Sequence, residues 1–120
     1  MILVIDDEPS ITELLSDILE YQGHPVVIAN DVQSAMDVLA FHRPDLILVD
    51  LMMPSVDGLS LAMTLRHMPT TRTIPLIAMS ASDSALAIAD RVGDFDAQLG
   101  KPFETDELLQ LIERYLPIAS

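Results

Sequence analysis

Cysteine is absent from the chain, and cations are scarce: 19 Asp plus Glu stand against 6 Lys plus Arg, for a formal net charge of −13 over 120 residues. Without thiols there are no disulfides, no thiolate zinc sites and no thiol nucleophile. Without clustered Lys or Arg there is no patch to hold nucleic acid or an anionic membrane, so neither is expected as a direct partner. The opening run, Ile2-Leu3-Val4-Ile5, is too short for a signal peptide or a membrane span. These absences fit a reducing cytosol, and a cytoplasmic location is expected. No Pro/Gly/Ser linker, low-complexity run or repeated unit divides the sequence. Its length suits one domain, taken as residues 1–120, and half of it is apolar, enough to build a core.

What is present is an alternation of short apolar runs with helical periodicities. Met1–Ile5, Pro25–Ala29, Leu46–Val49, Pro75–Met79 and the weaker Ala97–Leu99 read as strands, the first of a kind that suits burial on both faces. Between them, Ile11, Leu14, Leu15, Ile18 and Leu19 form one helical stripe, with Pro9 in its first turn and Gly23 at its stop. Asn30 or Asp31 caps a helix carrying Val32, Ala35, Met36 and Leu39, and Leu61, Leu65 and Met68 mark a third. Ser82 or Ser84 caps a fourth running to Val92, and Thr105 a fifth carrying Leu108, Leu109, Ile112 and Leu116. Residues 51–58 read as a loop, in which Asp57-Gly58 is only a turn. Five β/α units imply an α/β fold: an open five-stranded parallel sheet with helices on both faces. Such sheets bind ligands at the carboxyl ends of their strands.

Polar residues gather at that edge. Asp6-Asp7 follow the first strand, Asp50 the third and Ser80 the fourth, and the fifth leads into Lys101, the sole lysine. Singly, each suits a cap, a turn or a solvated charge; together they suit chemistry. Two unit charges about 4 Å apart interact by about 4 kcal/mol at an effective dielectric of 20, so clustered carboxylates need a cation or a retained proton. Oxygen ligands without His or Cys favour Mg²⁺ or Mn²⁺. Carboxylate, hard cation, lysine and hydroxyl together point to phosphoryl transfer onto or off an aspartate.

In this order and spacing, Asp6-Asp7-Glu8, the segment Asp50-Leu51-Met52-Met53-Pro54-Ser55-Val56-Asp57-Gly58, Ser80-Ala81 and Lys101-Pro102-Phe103 resemble the receiver domain of bacterial two-component response regulators over essentially the whole chain. The resemblance implies a sheet order of 2-1-3-4-5, as in chemotaxis receivers, and a signalling domain that promotes its own phosphorylation and dephosphorylation rather than an enzyme acting on other molecules. It implies Asp50 as phosphoacceptor, Mg²⁺ held by Asp7, Asp50 and the Met52 backbone carbonyl, with Asp6 acting through water, and Lys101 and Ser80 meeting the phosphoryl oxygens. It also implies a cis Lys101–Pro102 bond. The implied partners are a histidine kinase or phosphotransfer protein and a downstream protein target; oligomeric state is left open.

Several positions depart from the family. Gln98 stands where an aromatic switch residue is usual, Gly93-Asp94-Phe95 replaces the familiar Gly-Ala before the fifth strand, and Leu111 replaces the Arg of one dimerising subclass. Leu111 then serves either a partner-facing patch or a core contact. Met52 and Ser82 match positions that tune dephosphorylation in the family. Competing functions lack their signatures. Asp94-Phe95-Asp96, the one Asp-x-Asp, follows a helix rather than the strand a dehalogenase-like phosphatase needs, and a P-loop needs glycine where Phe95 stands. A flavin site would set its phosphate against Asp6-Asp7, and no Gly-x-Ser-x-Gly elbow supports a hydrolase. His24, His42 and His67 show no ligand spacing. The runner-up is a receiver-like module that binds proteins without being phosphorylated.

Overall fold

The structure, a computed structural model, describes residues 1–54 and 57–116 and the backbone of Val56. Ser55, one position of the second family segment, lies outside the described residues. The strands are β1 (Ile2–Ile5), β2 (Val26–Ala29), β3 (Leu46–Asp50), β4 (Met52–Met53), β5 (Val56–Asp57), β6 (Leu76–Ser80) and β7 (Ala97–Gly100). The helices are α1 (Pro9–Tyr21), α2 (Val32–Phe41), α3 (Gly58–His67), α4 (Asp83–Val92) and α5 (Thr105–Tyr115). The main sheet is parallel, in the order β2-β1-β3-β6-β7. Counting its five strands alone, this is the expected 2-1-3-4-5. The two extra strands are a short antiparallel ribbon, Met52 opposite Asp57 and Met53 opposite Val56, within the stretch read from sequence as a plain loop.

Alternation along each strand fixes the layers. Leu3, Ile5, Ile47, Val49, Leu76 and Ala78 join Ala35 of α2, Leu61, Ala62 and Leu65 of α3 and Ala89 of α4 in one half of the core. Ile2, Val4, Leu46, Leu48, Ile77 and Met79 join Leu15 and Leu19 of α1 and Leu108 and Ile112 of α5 in the other. Both faces of β1, β3 and β6 are therefore buried, which is why these runs are uniformly apolar rather than alternating. Leu111 packs against the α1–α5 half, resolving its two readings in favour of a core contact.

Local chemistry sets the boundaries. Three expected strands begin one residue late. Pro25 and Pro75 offer carbonyls to Ile2 and Ile47 at 2.8 and 3.0 Å but have no N–H to extend the ladder, and the Met1 ammonium pairs with Asp45 at 2.6 Å. Asp31 and Ser82 cap α2 and α4 through the amide N–H groups of Ser34 and Ala85. Pro9 opens α1, and Gly23 follows its end at φ +88°. Two expectations fail. Thr105 is the first helical residue of α5 rather than its cap, since Glu104 precedes the helix and makes no side-chain cap bond. Leu14 is 46% exposed, because the sheet covers only the arc of α1 centred on Thr12, Leu15 and Leu19.

Candidate functional site

Parallel strands bring all their carboxyl ends to one edge, and Asp6, Asp7, Asp50, Ser80 and Lys101 all lie there. Asp6 leaves β1 and is fully buried; its Oδ1 accepts the Glu8 amide at 3.0 Å. Asp50 ends β3 at 5% exposure, paired in register with Met79, and its Oδ1 accepts the Met52 amide at 3.0 Å. Asp7 is exposed. Carboxylate oxygens of Asp6, Asp7 and Asp50 lie within 4.8 Å of one another.

Lys101 supplies the cation. Its Nζ donates to Asp6 Oδ2 at 2.8 Å and stands 3.6 Å from Asp50 Oδ2. The lysine follows Gly100, the last residue of β7. Its amide donates to the Ser80 carbonyl at 2.8 Å, fixing the lysine backbone to the end of β6, and the Lys101–Pro102 bond is cis. Ser80 is buried, and its Oγ accepts the Ser82 amide at 3.0 Å. Ser82 is itself the cap of α4, so the hydroxyl at the strand end is bonded directly to the residue that starts the helix.

The electrostatics are unbalanced: three carboxylates share one ammonium. Burial, the largest influence, raises the Asp50 carboxyl above its ordinary pKa, and the neighbouring Asp6 charge adds to this. The Met52 amide and the Lys101 ammonium pull the other way and do not offset it. The donor set is all oxygen. The histidines sit in the α1–β2 connection, just past α2 and at the end of α3, so none is at the carboxyl edge. A hard divalent cation fits both the donor type and the charge deficit.

Sequence reasoning missed the bonds that hold the site residues: the Met52 and Ser82 amides, each two residues past the side chain it holds. The general tendency of Asp and Ser to accept such bonds was the available signal. It also missed the role of Asp57-Gly58. Asp57 is no mere turn residue: its Oδ1 accepts the Leu59 amide at 3.0 Å and caps α3. The dehalogenase-like pair is placed elsewhere, since Asp94 and Asp96 precede β7, at the opposite edge of the sheet.

Known proteins agree with this architecture. Residues 2–113 match the family model described as the response regulator receiver domain. A curated relative, the response regulator MprA of Mycolicibacterium vanbaalenii, is 38% identical over 112 residues, covering 90% of this chain and 46% of the relative. The chain thus spans about half the length of the curated relatives it matches. Among solved structures, the receiver domain of NtrX from Brucella abortus superposes with a TM-score of 0.89 at 29% identity, over 99% of this chain and 100% of that one. The receiver domain of the sensor histidine kinase PA1611 from Pseudomonas aeruginosa PAO1 gives a TM-score of 0.85 at 28% identity, over 95% and 94% of the two chains. That structure has a magnesium ion coordinated in its active site cleft. The sheet order, the acidic rim and the match over residues 2–113 place this chain in the family of response regulator receiver domains, signalling modules of two-component systems.

Proposed function

We propose that residues 1–120 form a single receiver domain in which Asp50 accepts a phosphoryl group from a histidine kinase or phosphotransfer protein. The observation that carries this reading is the Lys101 ammonium between the buried carboxylates of Asp6 and Asp50, with Asp7 alongside. A lysine buried only to neutralise Asp6 would not also need Asp50 and Asp7 at the same point. Asp7, Asp50 and the Met52 carbonyl hold Mg²⁺ or Mn²⁺, and Asp6 assists through water. The ion, when bound, offsets negative charge on the transferring group.

The residues then have separate tasks. An ionised oxygen of Asp50 attacks phosphorus in line; the new O–P bond forms as the donor's P–N bond breaks, and the departing imidazole keeps the electron pair and takes up a proton. Lys101 stays in place to meet the incoming oxygens. The Ser80 hydroxyl spends its acceptor side on the Ser82 amide, which leaves its O–H free to donate to a phosphoryl oxygen. A shift of that hydroxyl acts on Ser82, and through its bond from the Ala85 amide, 3.1 Å, on the first turn of α4. This route suits a chain with Gln98 at the usual aromatic position. The same residues support loss of the phosphoryl group to water as a self-limiting step. The output is a protein target bound at the altered surface. With a net charge of −13, this domain is not expected to touch nucleic acid itself. Among the described residues no helix is long and apolar enough to cross a membrane; we assign the domain to the cytoplasm.

Incubation with a small phosphodonor and Mg²⁺, followed by mass measurement, tests the assignment. The expected result is a gain of one phosphate in the wild type and none in Asp50→Asn. No gain with any donor would leave the protein-binding module that acts without phosphorylation.

A further inference from the structure

Gly58 is the first residue of α3, and its φ is not in the left-handed region, so the turn does not require glycine there. Space does. A Cβ built on Gly58 would stand 2.8 Å from the backbone oxygen of Asp50 and 2.9 Å from the Cα of Leu51, closer than real side chains approach. Both obstacles are backbone and cannot swing aside. The first turn of α3 is seated directly on the peptide that follows Asp50.

That seat cannot readily yield from the other side. Leu61, Ala62 and Leu65 anchor α3 in the core at 5% exposure or less. The Asp57 carboxylate grips the helix start through the Leu59 amide and the Ser60 hydroxyl, each at 3.0 Å. The β4–β5 ribbon pairs Met52 with Asp57, tying the amide that holds Asp50 Oδ1 to the residue that caps α3. Any atom added at position 58 therefore pushes the Asp50–Leu51 peptide, and with it the Met52 amide.

We infer that Gly58 is a positioning residue for the rim: by letting α3 rest on the Asp50–Leu51 backbone, it sets where the Asp50 carboxylate stands relative to Asp7 and Lys101, and so sets the site's affinity for a divalent cation. This rests on the reading of Asp50, Asp7 and their neighbours as a Mg²⁺ site, but not on phosphorylation. The approach distance, and not the flexibility of glycine, is what calls for glycine at this position.

The test compares wild type, Gly58→Ala and Thr64→Gly. Thr64 is exposed on the same helix, and glycine there weakens α3 without approaching Asp50. Mg²⁺ is titrated into each protein while the amide resonances are followed by NMR. The expected result is a displaced Met52 amide resonance in the metal-free Gly58→Ala protein and Mg²⁺ affinity about tenfold weaker, a change equivalent to about 1.4 kcal/mol. Thr64→Gly should lose thermal stability yet keep the wild-type Met52 resonance and Mg²⁺ affinity within twofold. Equal losses of affinity in the two variants, or an unchanged Met52 resonance in Gly58→Ala, would overturn the inference. If Gly58→Ala does not fold, Asp57→Ala and Asp57→Asn decide. Asn retains an acceptor for the Leu59 amide and should keep the affinity, whereas Ala should lose it; equal affinities would overturn the inference. A wild type that binds no Mg²⁺ while its Met52 resonance still moves in Gly58→Ala would sink the metal reading and spare the positioning one.

Discussion

The two edges of the sheet treat charge in opposite ways. At the amino edge, the Arg66 guanidinium at the end of α3 donates to the carbonyls of Asp94, Arg72 and Ile74 at 2.7, 3.0 and 2.8 Å. It also donates to the Asp96 carboxylate at 2.6 Å. The same Asp96 oxygen accepts the Leu76 amide at 2.8 Å, and the Tyr115 hydroxyl donates to the Asp96 carbonyl at 3.0 Å. One cation, one carboxylate and several neutral acceptors tie α3, β6, β7 and α5 together. At the carboxyl edge one ammonium serves three carboxylates, two of them buried. The first edge is complete as it stands and acts as an anchor. The second is left short of positive charge, and a shortage is what a site for a cation and a phosphoryl group needs.

The contrast can be broken experimentally, and the largest effect should come from Lys101→Ala. It strands a buried Asp6 and should cost about 3 kcal/mol in denaturant unfolding, together with phosphorylation. Part of the stability should return at saturating Mg²⁺, which replaces the lost charge; no return would mean that the rim does not take the ion.

Arg66→Ala should cost about 2 kcal/mol by leaving several carbonyls without their donor. Its Mg²⁺ affinity should stay within about twofold of wild type, well under the 1.4 kcal/mol that marks a tenfold change. A parallel loss of affinity would show that the two edges are not independent.

A subtler effect is the pH dependence at Asp50. Its carboxyl is raised in the fold, so the favourable contribution is full below the unfolded pKa and is lost as pH rises through the folded one. In metal-free buffer, Asp50→Asn should match wild type at acid pH and melt increasingly above it toward neutrality. Each 1 kcal/mol of relief should appear as about 4 °C in thermal midpoint. A gap that shrinks toward neutral pH would contradict the assignment.

The carboxyl edge was legible in the sequence because topology alone puts strand ends together: Asp6, Asp7, Asp50, Ser80 and Lys101 each follow an apolar run, and a parallel sheet does the rest. The amino edge was not. Arg66 and Asp96 are 30 residues apart, and neither position marks a pairing until α3 and β7 are placed. Asp96 drew notice only as half of an Asp-x-Asp that its place after a helix already discounted. Gly58 looked like turn glycine for a similar reason, since an Asp-Gly pair signals a turn by composition, while its purpose depends on a backbone eight residues earlier in the chain. Leu14 and Thr105 fit their helical patterns, but only the packed sheet and the observed start of α5 decide which residues face inward and which one caps.

The sheet also divides the interior into halves that do not touch through it. Substitutions at Leu65 and at Ile112 fall in different halves, and their effects should add. Such a molecule can drift in sequence on one side while the other keeps its packing. The rim does not share that freedom. By strand alternation Asp50 leaves the sheet on the α1–α5 side and Ser80 on the side of α4. One small group bridging the two would therefore make the halves, otherwise free to vary apart, answer to the same event.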